Sequence, residues 1–159
     1  IRGCMKQLFG VVVLVMGASM CYAQVDFSGT WILKSKEYIS GTKYGNAVSE
    51  RMKVIQRKDS LIVESGETNN RSSYPMDGSK ASFSHLANRR KSIHSLRWGS
   101  DKKTITTRVE VIVEDSPHDI DQTRIVRWRL AGDGKQLFYD LITIDHTSSW
   151  EVNAVYVKK

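Results

Sequence analysis

Cysteine is scarce in this chain and is confined to its start. The two cysteines, Cys4 and Cys21, fall within the first 23 residues, so the following 136 residues contain none. A domain without cysteine has no disulfide, no thiol nucleophile and no zinc–thiolate site. The folded part of the protein must therefore be stabilised by its hydrophobic core, and cysteine chemistry is excluded from its function.

Proline and helical periodicity are also nearly absent after residue 23. The only prolines are Pro75 and Pro117, and no low-complexity linker divides the sequence. No segment repeats apolar residues at the 3.6-residue period over more than a few turns, which argues against α/β and βαβ folds. We therefore predict a single domain over residues 24–159, which is long enough to bury a core.

The one long apolar run lies at the start and has the features of a secretion signal. Residues 5–7 (MKQ) give a short charged start, residues 8–16 (LFGVVVLVM) are apolar, and residues 21–23 (CYA) have the small–x–small pattern that a signal peptidase cuts. The run is too short to span a bilayer as a helix. We therefore predict that residues 1–23 form a cleaved signal peptide, with residues 1–4 upstream of the true start.

This signal predicts a soluble, exported protein, located in the periplasm or secreted. No second apolar run follows, so no transmembrane span is expected after the signal peptide is removed. An alternative is a lipoprotein anchored through Cys21. The bulky Met20 just before that cysteine fits lipidation badly.

The charge balance is modestly basic. The chain has 24 Lys and Arg against 17 Asp and Glu, which gives a net charge of +7. Removal of the predicted signal peptide takes away two basic residues and leaves a net charge of +5. The basic clusters at residues 89–91, 102–103 and 158–159 are typical of solvated turns. We expect no nucleic-acid partner, because the predicted destination lies outside the cytoplasm.

Short strand-like runs separated by polar turns recur throughout residues 24–159. The clearest turn signals are at residues 77–78 (DG) and 132–134 (GDG). Residues 35–48 are predicted as a loop or short helix, and residues 116–119 as a loop. The predicted runs, which make nine or ten strands, are residues 27–34, 50–57, 60–64, 71–75, 80–85, 91–98, 104–114, 122–130, 135–144 and 150–157.

Consecutive hairpins of this kind predict an all-β fold. Val126 and Trp128 alternate with Arg127 and Arg129, so one face of that strand is apolar and the other is charged. A meander of this many strands closes on itself, which removes exposed edges. We therefore predict an antiparallel up-and-down meander closed into a barrel of about 8–10 strands, with a two-sheet β-sandwich as the alternative.

A short motif at the start of the first predicted strand resembles that of a known family. Residues 29–31 (GTW) resemble the G-x-W signature of lipocalins and related calycin barrels, and residues 26–36 and 133–139 are similar to segments of uncharacterised exported lipocalin-like bacterial proteins. The chain lacks the lipocalin disulfide and a T-D-x-Y-like motif. The resemblance implies a barrel with a tryptophan closing one end, where a basic residue after the last strand packs across the indole. It assigns this barrel floor to Gly29, Trp31 and Lys158, with Lys159 as the alternative cation.

The inward faces of the predicted strands carry large aromatic and apolar side chains. Such a set either packs a solid core or lines a cavity for an apolar ligand. Arg124 lies an even number of residues from Val126 and Trp128, so its side chain is expected on the same inward face of the strand. It is therefore the arginine best placed to bind a ligand carboxylate. The candidate ligand-binding residues are Trp98, Arg124, Val126, Trp128, Tyr139, Trp150 and Tyr156.

The densest polar group is the segment 118–121 (HDID). Asp119 and Asp121 are spaced as in some calcium sites, but a solvated loop after Pro117 explains the same composition. No EF-hand, H-E-x-x-H or G-x-S-x-G pattern occurs in the sequence. We therefore predict no catalytic residue, no metal site and no cofactor.

These observations favour an exported lipocalin-like binding protein, not an enzyme, that holds a small, largely apolar molecule or lipid in its barrel as a monomer. The first alternative is a solid-barrel envelope or surface interaction protein without a small-molecule ligand. The second is a small exported hydrolase, which requires His118, His146, Asp119 and Asp145 to lie within hydrogen-bond reach of one another.

Overall fold

The computed structural model describes residues 24–66, 70–85 and 89–159, so the predicted signal peptide lies outside the described residues. These residues form ten antiparallel strands in one nearly closed barrel, which confirms the predicted all-β meander. Within them, no helix is long and apolar enough to cross a bilayer. The strands are β1 (Gly29–Ser40), β2 (Arg51–Gln56), β3 (Ser60–Ser65), β4 (Asn70–Pro75), β5 (Lys80–His85), β6 (Arg90–Trp98), β7 (Thr104–Val113), β8 (Ser116–Leu130), β9 (Gln136–Asp145) and β10 (Ser149–Lys158).

The strand order is that of an up-and-down meander wrapped into a barrel. Neighbours run β4-β3-β2-β1-β10-β9-β8-β7-β6-β5, so β1 pairs with β10 and brings the two ends of the described chain together. β4 and β5 are the outermost strands of the sheet and are not hydrogen-bonded to each other within the described residues. We call this gap between β4 and β5 the seam.

Two segments that were predicted as loops are strand in the structure. β1 continues to Ser40 because, after a register shift between Leu33 and Ser35, its second half pairs with β10. β8 already begins at Ser116, where two register shifts near Val113 let the chain reverse and pair at once with β7. The predictions were wrong for residues 35–40 and 116–119, because β-bulges shift the side-chain alternation on which a local reading of strands depends, whereas residues 41–48 form a loop as predicted.

The core follows the predicted alternation of inward and outward side chains. Val126 and Trp128 on β8 are buried, whereas Arg127 and Arg129 between and beyond them are exposed. The large side chains inside the barrel are almost wholly removed from water, and this burial supplies the hydrophobic stabilisation that a domain without disulfides needs. The largest fully buried side chains include Trp31, Trp128, Tyr156, Phe27, Leu61, Leu96 and Ile105.

One end of the barrel is closed by the G-x-W segment. Trp31 is fully buried, and its indole N–H donates to the Phe27 carbonyl at 3.0 Å. The Lys158 ammonium lies 5.4 Å from the centre of the Trp31 ring, the arrangement that the lipocalin resemblance implies. Gly29 makes this close approach feasible, since its φ is 149° and a Cβ there would lie 2.6 Å from the Lys158 side chain.

Side chains bridge the seam where backbone hydrogen bonds are missing. His94 on β6 reaches across to β4, where its Nδ1 donates to the Ser73 carbonyl at 3.1 Å. The imidazole ring packs between the rings of Tyr74 and Phe83, with centroid distances of 5.2 and 4.7 Å. The barrel is therefore held closed at this point by one buried histidine and its aromatic neighbours.

Candidate cavity site

A cavity of about 190 Å³ lies inside the barrel, in the half away from the Trp31 floor. The inward side chains of β8 mark the direction from the floor to the open end, since Leu130 lies at the floor and Gln122 at the open end. Trp128, Arg124 and Gln122 line the cavity. Its apolar lining consists of Met52, Val63, Val109 and Trp128. A cavity of about 150 Å³ holds a benzene molecule, so this one has room for a small ligand.

The polar lining is more extensive than the sequence suggests. Besides the apolar wall, serines from three segments contribute hydroxyl groups, and three tyrosines reach in from β4, β9 and β10. Sequence analysis predicted a largely apolar ligand, whereas the cavity offers polar groups on several sides. The polar lining residues are Ser49, Ser65, Ser72, Tyr74, Gln122, Arg124, Tyr139 and Tyr156.

Arg124 places a positive charge inside the barrel, at the inward position predicted from its alternation with Trp128. Its guanidinium Nη2 donates to the Tyr139 hydroxyl at 3.1 Å. Its neighbours across the sheet are Val109 and Thr143, which carry no charge. Among the described residues, no carboxylate oxygen lies within the 4.0 Å of an ion pair with Arg124.

The protonation states of the cavity groups follow from their surroundings. The Tyr139 hydroxyl raises the pKa of Arg124 above its ordinary value, although burial acts in the opposite direction, so the guanidinium stays charged. Burial raises the pKa of Tyr74 to about 12 and also raises the pKa of Tyr156. These two phenols are therefore neutral hydrogen-bond donors at physiological pH, beside a permanent cation.

The loop between β1 and β2, which we call the mouth loop (residues 41–50), covers the open end. Val48 is buried against the core, and the Tyr156 hydroxyl donates to the Ser49 carbonyl at 2.8 Å. At the rim, the ring of Tyr44 lies 4.7 Å from that of Trp150. These contacts fix the mouth loop to the barrel on both sides of the cavity entrance.

A second pocket lies under the mouth loop and shares residues with the inner cavity. It measures about 220 Å³, and its walls include Tyr44, Ala47 and Trp150. Gln122 and Arg124 line both spaces. Arg124 therefore forms part of the wall of both the inner cavity and the outer pocket.

The predicted ligand-binding residues fall into three groups. Four of the seven line the inner cavity: Arg124, Trp128, Tyr139 and Tyr156. Trp150 lines the outer pocket, and Val126 is buried in the core. Trp98 lies towards the floor, 6.2 Å from Phe27, and its buried indole nitrogen has no partner among the described residues.

Several lining residues were not predicted from the sequence, above all Tyr74, Gln122 and the three serines. Tyr74 and Ser72 alternate correctly for an inward face of β4, which is the signal that could have identified them. A serine or glutamine on an inward face resembles a solvent-facing residue when the sequence is read alone. The serines and Gln122 are recognisable as lining residues only in the folded barrel, where β2, β3 and β4 curve around the cavity.

The acid and histidine groups of the hydrolase alternative come partly together. His146 Nε2 lies 3.6 Å from Asp119 and 3.7 Å from Asp121, beyond hydrogen-bond distance, and Arg90 holds Asp121 at 2.8 Å. The Thr147 and Ser148 hydroxyls donate to Asp145, not to a histidine. The backbone N–H groups of the same two residues hold the pKa of Asp145 below its usual range, as in an ordinary Asx turn.

These groups therefore do not form a nucleophile–base–acid chain in the described part of the protein. His118 and Asp119 are exposed at the start of β8, not in a loop. No group of three or more His, Cys, Asp and Glu side chains within residues 24–66, 70–85 and 89–159 has the arrangement of a metal site.

Comparisons with known proteins add little to this geometry. No protein-family model matches the chain, and no curated protein matches it in sequence. Among solved structures, the chain is similar to one described as a "secretary abundant heat soluble (SAHS) protein" from Ramazzottius varieornatus, with 11% identity, a TM-score of 0.48, and coverage of 83% of this chain and 94% of the other. The lipocalin-like architecture therefore rests on this chain's own ten-stranded, nearly closed antiparallel barrel.

Proposed function

We propose that this protein is an exported binding protein that holds a small molecule in its barrel and carries out no catalysis. The observation that carries the proposal is the cavity of about 190 Å³ inside a barrel whose floor is otherwise tightly packed. A solid structural barrel would fill this space with side chains, because protein interiors are normally close-packed. Export is inferred from the predicted signal peptide at residues 1–23.

The size and lining of the cavity limit the ligand. Drug-sized ligands occupy pockets of roughly 300–1,000 Å³, so about 190 Å³ favours a smaller molecule. Trp128, Met52 and Val63 offer an apolar wall, while the tyrosines and Arg124 offer polar partners. A small amphipathic molecule fits this lining better than the largely apolar ligand expected from sequence.

A cavity-filling variant tests the proposal. Val63 lines the cavity from β3, so Val63→Phe should occupy part of it and weaken the binding of a small apolar fluorescent probe by about tenfold or more. Ile144→Phe is the matched control, because Ile144 is 46% exposed on the outer wall. Circular dichroism checks that both variants fold. Equal probe binding by both variants would refute binding of the probe in the cavity. A wild type that binds neither this probe nor any of the small acids and amides named below would refute a binding role for the cavity.

One observation favours the alternative of a surface interaction protein. Ile142 and Ile144 are 38% and 46% exposed on the outer face of β9, and Ile120 is 43% exposed on β8. Exposed apolar side chains in a contiguous patch are typical of protein contacts. Sedimentation velocity of Ile142→Ser/Ile144→Ser beside the wild type tests self-association through this face; identical monomers would leave the alternative without support.

A further inference from the structure

We propose that the ligand of the cavity is a small organic acid, whose carboxylate is bound by Arg124. This inference rests on the proposed binding function and adds the chemical class of the ligand. Its basis is the position of a single cation, without a carboxylate partner among the described residues, in the wall of the cavity.

The charge in the described part of the cavity wall is of one sign, positive. Among the described residues that line the cavity, none is Asp or Glu, and Arg124 is the only Lys or Arg. A charge withdrawn from water costs free energy unless an opposite charge or several hydrogen bonds compensate it. An anionic ligand would supply the missing compensation.

The hydrogen bonds of Arg124 leave it available for a ligand. A guanidinium has five N–H donors in a planar fork that matches a carboxylate. Within the described residues Arg124 makes one side-chain hydrogen bond, to the Tyr139 hydroxyl. The Tyr139 hydroxyl accepts this bond with its oxygen, so its O–H group can point towards the same carboxylate.

One further group supports an anion over a neutral ligand. Tyr74 also lines the cavity, and burial keeps its phenol protonated, whereas the Tyr156 hydroxyl already donates its proton to the Ser49 carbonyl. Neutral donors beside a guanidinium stabilise negative charge and contribute no repulsion. In the part of the wall that the structure describes, no carboxylate is present to favour a cationic ligand.

The position of Arg124 also sets the orientation and length of the acid. Below the guanidinium, towards the floor, lies Trp128, and Val63 and Met52 face the same space. The apolar part of the ligand therefore points inward from Arg124, and the volume of about 190 Å³ admits a single ring or a short chain. Long-chain acids are expected to be excluded.

Matched acids and amides test this directly. Phenylacetate and hexanoate differ from phenylacetamide and hexanamide mainly in charge, so titration calorimetry of the full chain with all four isolates the carboxylate contribution. We expect each acid to bind about 10–100-fold more tightly than its amide, the range for a hydrogen bond to a charged group. We expect palmitate to bind more weakly than hexanoate, because its chain exceeds the length of the cavity.

Substitutions assign the effect to one side chain. Arg124→Met should reduce the affinity for each acid to that for its amide while leaving amide binding within about threefold. Arg127→Met is the matched control, because Arg127 lies three residues along the same strand on the exposed outer face. It should leave all four affinities unchanged.

The outcomes separate this inference from the proposed function. Equal binding of acids and amides by the wild type would overturn the inference and leave a binding role for the cavity intact. Acid selectivity that survives in Arg124→Met would overturn the role of Arg124. Failure of all four compounds to bind, together with no response to the apolar probe, would overturn both proposals.

Discussion

At the scale of single residues, the proposed role of Arg124 predicts that this side chain contributes more to binding than to stability. Its guanidinium has a phenol partner but no carboxylate partner among the described residues, and replacing such a charge by an apolar side chain is often neutral or stabilising. We expect Arg124→Met to raise the free energy of unfolding of the ligand-free protein by about 1 kcal/mol, which raises Tm by about 3 °C. Thermal unfolding checks this, with Arg127→Met as the control; a loss of more than about 1 kcal/mol would show that Arg124 is structural.

A substitution of Gly29 at the barrel floor should have the opposite effect and lower the free energy of unfolding. The Gly29 φ of 149° is unfavourable for other residues, and a Cβ would lie 2.6 Å from Lys158. We expect Gly29→Ala to lower the free energy of unfolding by about 1–3 kcal/mol, mainly through backbone strain, because the lysine side chain can move. Gly45→Ala is the control, since nothing lies within 4 Å of a Cβ there. Urea unfolding of the two variants would contradict this reasoning if they were equally stable.

At the scale of strands, the contacts of His94 across the seam should make the free energy of unfolding depend on pH. His94 donates from Nδ1 to Ser73 on β4, so its neutral Nε2 accepts a hydrogen bond from Ser92 at 3.1 Å. His85 Nε2 lies at the same distance from the Ser92 hydroxyl, and Tyr74 packs on the ring. Burial lowers the pKa of His94, the hydrogen bond to the Ser73 carbonyl opposes this, and electrostatic repulsion from the His85 imidazole adds to the lowering.

The sign of the effect follows from this lowered pKa. The unfolded chain binds a proton on His94 near its usual pKa of about 6.5, before the folded chain does. The stability contributed by neutral His94 is therefore fully present above about pH 6.5 and is lost as the pH falls below that value. We expect urea unfolding between pH 5 and 8 to show this loss, and His94→Gln to reduce it. An unchanged pH dependence in His94→Gln would contradict the assignment, while His118→Gln, an exposed histidine, serves as the control.

Strand positions were predictable where alternation is regular. The apolar face of β8 and its inward Arg124 could be read from the sequence, because Val126 and Trp128 lie at the same parity. The second half of β1 could not, because residues 35–40 are mostly polar and become strand only through pairing with β10. The polar wall contributed by Ser65, Ser72 and Tyr74 depends in the same way on long-range packing.

At the scale of the whole molecule, closure of the barrel creates the site. β1 and β10 pair along their length, which brings Tyr156 opposite the strands that carry Val63 and Tyr74. The floor is filled by Trp31 and its neighbours, while the other half retains the cavity. The same sheet therefore supplies a packed end and an end that retains the cavity of the proposed binding site.

Native mass spectrometry of the protein purified from its own host tests the central claim most directly. The account predicts a complex with one small molecule per chain, released on denaturation as an organic acid, and absent from Arg124→Met purified in the same way. Bound mass that persists in Arg124→Met would contradict the role of the guanidinium. A wild-type protein without bound mass, which also fails to bind the added acids, would contradict the binding function itself.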